Sequence, residues 1–405
     1  MRKLEVQIRS FGMTSELQAS FSRRDWLRMS LTAGMTVVTG FDRFWWPTVA
    51  FADTQDTFHG GKKIGNVDFV EEFPFDMNTV IGTELDGRLY TDLSTLTPEH
   101  PVTPTEDFYI RTCVSKLLED NAPWTIRLAG LARDEVNLSL ARLTAAEKPM
   151  GVHLMECVGN QRACHFGLMS AGSWMGVALS EILNMVRIGP RATHLLVSGF
   201  DRYQAESVSS IPGASWIFKL DELRARGAFL ATRMNGKSLP RDHGAPVRLV
   251  VPGWYGCACI KWVNEIALVS DDAPATPQMK EYAERTGQQE VPELARDYLP
   301  AGIEYAATPI RIERWSVHGA LKYRVVGLLW GGSAPVKKLE IRFNPEDEYV
   351  PVDHLDRPGQ SSWRFWTHAW VPRNEGEYLI RLRVKDPLVQ AKRLESGHYE
   401  RTVVI

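Results

Sequence analysis

The fold can be inferred outward from one segment, His153-Leu154-Met155-Glu156-Cys157-Val158-Gly159-Asn160-Gln161-Arg162. Residues 152–155 are apolar or aromatic and are bounded by turn residues, which predicts a short strand. Cys157 follows the strand directly and opens a loop that contains Gly159. Ligands commonly bind where the strands of an α/β sheet end, and a thiolate, which a cation such as Arg162 favours, binds soft metals. The alternative, which local features alone favour, is a buried structural cysteine.

A second segment with candidate ligands runs from residue 241 to residue 262. His243, Arg248 and Lys261 lie within it, and together they could surround one anionic group such as a phosphate. The glycines of this segment, among them Gly256, would let backbone N–H groups approach that anion closely. The alternative is a surface loop with scattered cations.

The cysteines of the chain narrow the possible metal chemistry. Five cysteines are too few for a disulfide scaffold, and their odd number leaves at least one thiol free, metal-bound or paired with another chain. Cys257 and Cys259 lack the spacing and histidine partners of an ordinary zinc site. No Cys-x-x-Cys-His sequence occurs, so we expect no covalently attached haem.

The two segments lie in a region, residues 106–270, where short strand-like and helix-like runs alternate. Residues 124–128 alternate with period two and predict a half-buried strand, and residues 138–147 have helical spacing with Asn137 as a possible cap. We interpret this region as one α+β domain. Residues 53–105 are irregular and predict an extended lead-in, and residues 271–307 are polar and proline-containing, as expected of a connecting arm.

The remainder of the chain, residues 308–405, changes character. Turns rich in Gly, Pro and Asp separate six predicted strands, at residues 310–317, 323–330, 337–343, 363–371, 378–384 and 399–405. This pattern is typical of a small β-sandwich. The region has no cysteine, so an immunoglobulin-like sandwich would lack the usual disulfide.

The overall composition excludes several classes of protein. The 405 residues suggest two or three domains, and 44% hydrophobic with 24% charged residues is ordinary for a soluble globular chain. The net charge of −2 lacks the excess of basic residues that is typical of nucleic-acid-binding proteins. With 31 Gly, 23 Pro and 10% aromatic residues, the chain is neither collagen-like nor disordered.

Residues 1–52 resemble a twin-arginine export signal. Ser22-Arg23-Arg24-Asp25-Trp26-Leu27-Arg28 precedes an apolar run that is shorter than the ~20 residues needed to span a bilayer. Ala50-Phe51-Ala52 is a small-x-small site that a signal peptidase could cleave. We therefore expect a mature chain that begins near Asp53 and works in the periplasm. The alternative is a basic, disordered tail before a buried helix.

Several motifs between residues 105 and 270 occur in one order. They are Phe108-Tyr109-Ile110-Arg111, Glu156-Cys157-Val158-Gly159-Asn160-Gln161-Arg162, Gly172-Ser173-Trp174-Met175-Gly176-Val177-Ala178-Leu179, Met234-Asn235-Gly236-Lys237-Ser238-Leu239, His243-Gly244-Ala245-Pro246-Val247-Arg248, Pro252-Gly253-Trp254-Tyr255-Gly256 and Ile260-Lys261-Trp262. Together they resemble the sulfite oxidase family of molybdopterin-dependent oxidoreductases. The resemblance implies an α+β fold, in which a sulfite oxidase-type molybdopterin-binding domain is followed by an immunoglobulin-like dimerisation domain over residues 308–405.

The resemblance also implies a molybdenum–molybdopterin cofactor and assigns residues to it. Cys157 would ligate the molybdenum. The residues expected to hold the pterin and its phosphate are Asp201, His243, Arg248, Cys257, Cys259 and Lys261. Arg111 and Arg162 would line an anion pocket beside the metal, because a dianionic substrate and a developing oxyanion both need fixed positive charge.

The substrate pocket departs from the family pattern. Thr112-Cys113 stands where the family commonly has Asn-His, and Ser207 stands at the position of the active-site tyrosine, with Tyr203 as a possible substitute. Trp330-Gly331-Gly332-Ser333-Ala334-Pro335 lacks the arginine that should follow it. These departures weaken sulfite as the substrate more than they weaken molybdenum as the cofactor.

The first hypothesis is therefore a periplasmic molybdenum oxidoreductase of the sulfite oxidase type, which transfers an oxygen atom at a Cys-ligated molybdenum and acts on a small oxyanion or sulfur compound. Electrons would pass to a separate c-type cytochrome or other carrier, because the chain has no haem motif. The alternatives are a molybdenum-dependent sulfoxide or oxide reductase, and a non-catalytic secreted binding protein on the same scaffold.

We also expect a homodimer. Tryptophan is enriched at interface hot spots, and the C-terminal region carries Trp315, Trp330, Trp363, Trp366 and Trp370. The alternative is that these side chains pack within one chain.

Overall fold

A computed structural model describes residues 58–405 except positions 74–75, 78, 121, 208, 333–335, 358–361, 387–388 and 390. The predicted export signal, residues 1–52, lies outside the described residues. In chain order the strands are β1 (Lys62–Val67), β2 (Thr125–Gly130), β3 (Val136–Ser139), β4 (Lys148–Glu156), β5 (Met169–Ala178), β6 (His194–Gly199), β7 (Ser215–Lys219), β8 (Phe229–Met234), β9 (Lys237–Ser238), β10 (Arg248–Val250), β11 (Val263–Val269), β12 (Ala306–Val317), β13 (Ala320–Trp330), β14 (Leu339–Arg342), β15 (Val350–Pro351), β16 (His354–Leu355), β17 (Trp363–Trp370), β18 (Glu377–Val384) and β19 (Arg401–Val404).

The helices of the described part are few and short. They are α1 (Leu140–Ala145), α2 (Leu179–Leu183), α3 (Leu220–Arg226), α4 (Pro277–Glu281) and α5 (Lys392–Glu395). The longest of them, α3, has seven residues, whereas crossing a bilayer takes about 20, so none of the described helices is a membrane span. The predicted α+β region is thus mostly sheet.

Two sheets form the N-terminal half. One has the strand order β10-β8-β5-β4, with β9 paired to β8, and the other has the order β3-β2-β11-β6-β7. Strand β2 shows why this region folds as sheet, because its buried Ile126 and Leu128 alternate with exposed Thr125 and Arg127. Strand β4 ends at Glu156, so Cys157 opens the loop after it, as the sequence predicts.

The first predicted helix is shorter than expected. Its residues 138 and 139 belong to β3, and Asn137 lies in the same strand. The N-cap is Ser139, whose hydroxyl accepts a hydrogen bond from the backbone N–H of Arg142. The serine takes the capping role because its backbone is extended while α1 begins at the next residue.

The six strands predicted between residues 308 and 405 are all present, as β12, β13, β14, β17, β18 and β19. They form two sheets, with the orders β1-β12-β13-β17-β16 and β15-β14-β18-β19, around one apolar core. The immunoglobulin-like classification of this sandwich stays a prediction. The same core includes Val158 and Phe166 from the loop region after β4, so the two halves of the chain share packing there.

The lead-in is not simply extended. Strand β1 pairs antiparallel with β12 and adds an edge to the C-terminal sheet, with a register shift between Lys63 and Gly65. The sequence gives little sign of this strand because four of its six residues are charged, small or polar, and none of the six is buried.

The tryptophans of the C-terminal region do not form an outer face. Four of them are buried within the single chain, namely Trp330, Trp363, Trp366 and Trp370. The fifth, Trp315, packs against the ring of Phe58 with 5.4 Å between centroids. The argument that tryptophans anchor an interface between chains is therefore wrong for the four buried ones, because packing within the chain already occupies them. The homodimer itself stays a prediction.

Candidate active site

One cavity brings together most of the predicted site residues. It lies where the loop after β4, the segment before β2, the connections on both sides of β10 and the helix α4 meet. Its walls include the predicted residues Arg111, Cys157, Asp201, His243, Arg248, Cys257, Cys259 and Lys261. Residues that are far apart in the sequence thus converge on one concave site, which is the usual form of a ligand or cofactor pocket.

Cys157 is buried at the edge of this cavity. Its Sγ accepts a hydrogen bond from the backbone N–H of Gly159 at 3.4 Å, and its own N–H donates to the carbonyl of Leu168 at 2.9 Å. Burial raises the pKa of the thiol, while the nearby Arg111 guanidinium and the Gly159 N–H oppose that rise. The cation that favours the thiolate is therefore Arg111 rather than the expected Arg162.

Arg248 is buried deep in the cavity wall. Two of its guanidinium nitrogens donate to backbone carbonyls, Nη1 to His243 at 3.0 Å and Nη2 to Cys259 at 3.2 Å. Its Nε has no hydrogen-bond partner among the described residues. Burial lowers the pKa of the guanidinium, although the group stays charged at neutral pH.

Lys261 and His243 complete the basic side of the cavity. The Lys261 ammonium donates to the carbonyls of Asp242, at 2.8 Å, and Thr112, and it lies 4.4 Å from the centre of the Trp262 ring. Burial, together with repulsion from the Arg248 charge, lowers the pKa of Lys261 to about 7. Burial and the charges of Lys261 and Arg248 lower the pKa of His243 to about 3, so His243 is a neutral hydrogen-bonding group rather than the expected cation.

Arg111 holds the loop that follows β6. Its Nη2 donates to Ser210 Oγ at 2.9 Å and to the Ser209 carbonyl at 3.3 Å, while its buried Nη1 has no partner among the described residues. Arg88 donates to Ser209 Oγ at 3.0 Å from the other side. Burial lowers the pKa of Arg88, and repulsion from the nearby Arg111 lowers it further.

Three further predicted cofactor residues border the cavity, and the side chains of two of them, Asp201 and Cys259, already accept hydrogen bonds. Asp201 accepts hydrogen bonds from the backbone N–H groups of Gly213 and Ala214, at 2.5 and 2.6 Å. Cys259 Sγ accepts from the Val251 N–H at 3.4 Å. The carbonyl of the third residue, Cys257, accepts from Gln278 Nε2 at 2.5 Å.

Two predicted catalytic residues lie elsewhere. Arg162 does not border this cavity, because its guanidinium turns towards Glu71, at 3.9 Å, and Glu400, at 3.7 Å. The hydroxyl of Tyr203 donates to the carbonyl of Cys113 at 3.3 Å, and burial raises its pKa above the ordinary value. Ser207 donates to Asp86 Oδ1 at 2.5 Å and also lies outside the cavity wall.

Sequence reasoning missed Tyr282, Gln278 and Tyr109, which also line the cavity. Tyr282 follows α4 in the connecting arm, and burial raises the pKa of its phenol to about 12, with a further contribution from the nearby Cys157. Its hydroxyl is therefore protonated at neutral pH and able to donate a hydrogen bond. A polar, proline-containing arm gives no signal that one of its side chains reaches the site.

The donor set fits a molybdenum–pterin cofactor. Arg248 Nε and Arg111 Nη1 are buried N–H groups without partners among the described residues, and leaving a buried donor unpaired costs about 1–3 kcal/mol. Both side chains border the cavity, so an anionic group there would satisfy them. Among the residues that the structure describes, no three His, Cys, Asp or Glu side chains form a metal-binding group. Cys157 is the residue of this cavity that would bind the metal of such a cofactor.

Comparisons with known proteins agree with this fit. Residues 114–276 match the family model described as "Oxidoreductase molybdopterin binding domain". Chicken (Gallus gallus) sulfite oxidase is 29% identical over 203 residues, which are 46% of this chain and 44% of that protein. The catalytic subunit MsrP of a protein-methionine-sulfoxide reductase from Gluconobacter oxydans is 32% identical over 164 residues, 38% of this chain and 49% of that protein.

The alignments span about half the length of these curated relatives. Among solved structures, the sulfane dehydrogenase SoxCD from Paracoccus pantotrophus is similar, with a TM-score of 0.59 and 17% identity over 84% of this chain and 86% of that one. That likeness concerns the fold. The matching family model implies that the cavity binds molybdenum–molybdopterin.

Proposed function

We propose that this chain belongs to the sulfite oxidase family of molybdenum-dependent oxidoreductases and is a periplasmic enzyme that transfers an oxygen atom to a small sulfur compound. The observation that carries the proposal is the cavity in which the buried thiol of Cys157 meets Arg111, Arg248 and Lys261. A soft thiolate ligand and fixed positive charge are what this chemistry needs from the protein. When bound, the molybdenum centre supplies two-electron oxidation or reduction coupled to transfer of an oxygen atom.

The chain's own residues divide into two groups in this proposal. Cys157 binds the metal, and Arg248, Lys261 and the neutral His243 hold the pterin and its phosphate. Asp201 and the backbone at Cys257 and Cys259 shape the wall around them. Because the Arg248 and Lys261 side chains are already fixed by backbone carbonyls, they require little reorganisation when an anion binds.

On the substrate side, Arg111 attracts and orients the anionic end of the substrate. Tyr282 donates a hydrogen bond from its protonated phenol, and it takes the place that Tyr203 and Ser207 were predicted to fill. Both side chains reach the same cavity as Cys157. Electrons leave through a separate carrier such as a c-type cytochrome, since the sequence has no haem-attachment motif.

The second candidate function is a reductase of sulfoxides or related oxides. It is favoured by the similarity to the MsrP subunit, which is 32% identical over its alignment, against 29% for chicken sulfite oxidase. The two candidates differ only in the direction of electron flow at the same site. Assays with an artificial electron acceptor and with an artificial donor, over sulfur oxyanions and sulfoxides, distinguish them.

The test of the proposal is the metal content and activity of the Cys157→Ser variant. We expect near-stoichiometric molybdenum and pterin in the parent protein, and loss of turnover in the variant with the fold retained. Cys164→Ser is the matched control, because Cys164 is equally buried nearby but its Sγ donates to the Gln161 carbonyl at 3.1 Å and does not border the cavity. A parent protein without molybdenum would support the non-catalytic binding protein instead, and full activity of Cys157→Ser would exclude the thiol as the metal ligand.

A further inference from the structure

The loop that carries Cys157 is supported from outside its own domain. We call residues 157–162 the metal loop, and we call Trp330, Arg393, Gly397 and His398 the C-terminal clamp. Arg393 Nη1 donates to the Val158 carbonyl at 3.1 Å, and His398 Nε2 hydrogen-bonds the Asn160 carbonyl at 2.9 Å. In return, Arg162 Nη2 of the metal loop donates to the Gly397 carbonyl at 3.4 Å.

A fourth contact reaches the residue next to the ligand. Glu156 is fully buried, and its Oε2 accepts a hydrogen bond from Trp330 Nε1 at 2.8 Å. Its Oε1 accepts from Asn160 Nδ2 at 3.3 Å. A buried carboxyl group is tolerated only where such partners exist, so this bond ties β13 of the sandwich to the end of β4.

In the part of the chain that the structure describes, the hydrogen bonds within the metal loop and its own domain do not involve the carbonyls of Val158 and Asn160. Inside the loop, the Asn160 N–H donates to the Cys157 carbonyl at 2.9 Å, and from the same domain the Leu168 N–H donates to Asn160 Oδ1 at 3.1 Å. The carbonyls of Val158 and Asn160 instead accept from the C-terminal clamp. The loop is therefore fixed on one side by its own domain and on the other by the last part of the chain.

Arg393 also reaches the arm that carries Tyr282. Its Nη2 donates to the Arg285 carbonyl at 2.8 Å, and its guanidinium lies 5.3 Å from the centre of the Tyr255 ring. One side chain thus bonds the metal loop and the segment three residues after Tyr282. Because Cys157 and Tyr282 both border the cavity, Arg393 joins the two walls that carry them.

We propose that Arg393 is a positioning residue that, with the Trp330–Glu156 hydrogen bond, fixes Cys157 and Tyr282 relative to each other from outside the cavity. The clamp lies outside residues 114–276, which match the family model, so it is a device of this chain's C-terminal region. Residues behind a metal ligand typically change metal affinity or activity about 10- to 100-fold when they are replaced. The proposal rests on the proposed function in that Cys157 is the metal ligand.

The test compares Arg393→Met with Arg383→Met. Methionine keeps much of the apolar stem and removes the donors. Arg383 is the matched control, because it lies in the same sandwich but bonds Glu340 at 2.6 Å, away from the metal loop. The first readout is the rate at which iodoacetamide alkylates Cys157 in the cofactor-free full-length chain, followed on the Cys157 peptide by mass spectrometry.

We expect Arg393→Met to raise that rate about tenfold, Arg393→Lys to give an intermediate rate, and Arg383→Met to leave it unchanged. In the cofactor-loaded protein, the second readout is the Mo(V) electron paramagnetic resonance spectrum, which we expect to shift in Arg393→Met only. A merely structural role would lower stability in both arginine variants without changing either readout.

An Arg393→Met variant that folds normally, with an unchanged alkylation rate and an unchanged spectrum, overturns the proposal. If that variant does not fold, Trp330→Phe decides, because it removes one N–H donor and keeps most of the ring packing. An unchanged alkylation rate in Trp330→Phe then overturns the proposal. Absence of molybdenum from the parent protein is a separate failure, of the proposed function, and it leaves the alkylation result interpretable.

Discussion

At the scale of single residues, the cavity gathers its positive charge from few side chains. Arg111 is the one arginine of the predicted anion pocket that reaches it, since Arg162 turns towards Glu71 and Glu400. Arg88 stands behind Arg111, and both bond the serine-containing loop after β6. The site is thus suited to an anion but has less charge at the substrate position than the family resemblance implies.

We therefore expect sulfite to be a poor substrate or none. Losing one charged contact to the transition state costs about 2–4 kcal/mol, or roughly 10²–10³ in rate. Steady-state oxidation of sulfite with an artificial electron acceptor, by protein of known molybdenum content, measures this. A kcat/KM for sulfite in the range of about 10⁴–10⁸ M⁻¹s⁻¹, typical of evolved enzymes, would contradict the expectation.

A second residue-scale prediction concerns His153, in β4. Its Nε2 hydrogen-bonds the Met150 carbonyl at 2.7 Å, and burial lowers its pKa below the ordinary value. The His153 imidazole therefore binds a proton more readily in the unfolded chain than in the folded chain. Neutral, buried His153 contributes fully to the free energy of unfolding above a pH of about 6.5. This contribution is lost as the pH falls through the lowered pKa of the folded state.

We accordingly expect parent protein to lose stability relative to His153→Gln as the pH is lowered from 8 to 5. Urea unfolding of cofactor-free parent and variant at several pH values gives the difference in the free energy of unfolding. The exposed His59→Gln serves as the control. A difference between parent and His153→Gln that stays constant with pH would refute the assignment.

At the scale of elements, the short helix α4 matters because the arm that contains it contributes to the cavity. Thr276 caps this helix, since its Oγ1 accepts from the Met279 N–H at 3.2 Å and donates to the Ser215 carbonyl at 2.7 Å. Pro277 occupies the first turn, where a missing N–H does no harm. The cap therefore sets the position of Gln278 and, after the helix, of Tyr282.

Thr276→Ala should lower the free energy of unfolding by about 1 kcal/mol and also raise KM for the substrate. Ser139→Ala is the matched control, because it removes the cap of α1, which does not border the cavity. We expect a similar loss of stability there with KM unchanged. Equal KM values in both variants would show that α4 does not position the substrate wall.

The elements also show what sequence reasoning can and cannot find. The C-terminal strands were predictable because each alternates or runs apolar between turn residues. Strand β1 and the site residues of the arm were not, since their roles come from contacts with segments distant in the sequence, such as the pairing of Lys62 with Ser316. The prediction that Arg162 lines the cavity was wrong for a related reason. Arg162 is near Cys157 in the sequence, but this does not determine the direction of its long side chain.

At the scale of the whole molecule, the question is how many chains associate. The resemblance implies that the C-terminal domain pairs chains, but the buried tryptophans no longer support it. We still expect a homodimer, measured by light scattering of the mature protein at low micromolar concentration. A mass of one chain that does not change on concentration would contradict this prediction.

The C-terminal clamp has a consequence for the order of events during protein synthesis. Arg393 is added 235 positions after the loop residue Val158 that it bonds. At about 5–20 residues per second, a ribosome needs on the order of ten seconds or more to cover that distance. Throughout that interval the Cys157 loop lacks its outer support, so the loop reaches its final form only after residue 393 has been synthesised. If cofactor binding needs the supported loop, it can follow only after the C-terminal clamp has been synthesised, and a chain that stops before Arg393 would bind cofactor poorly.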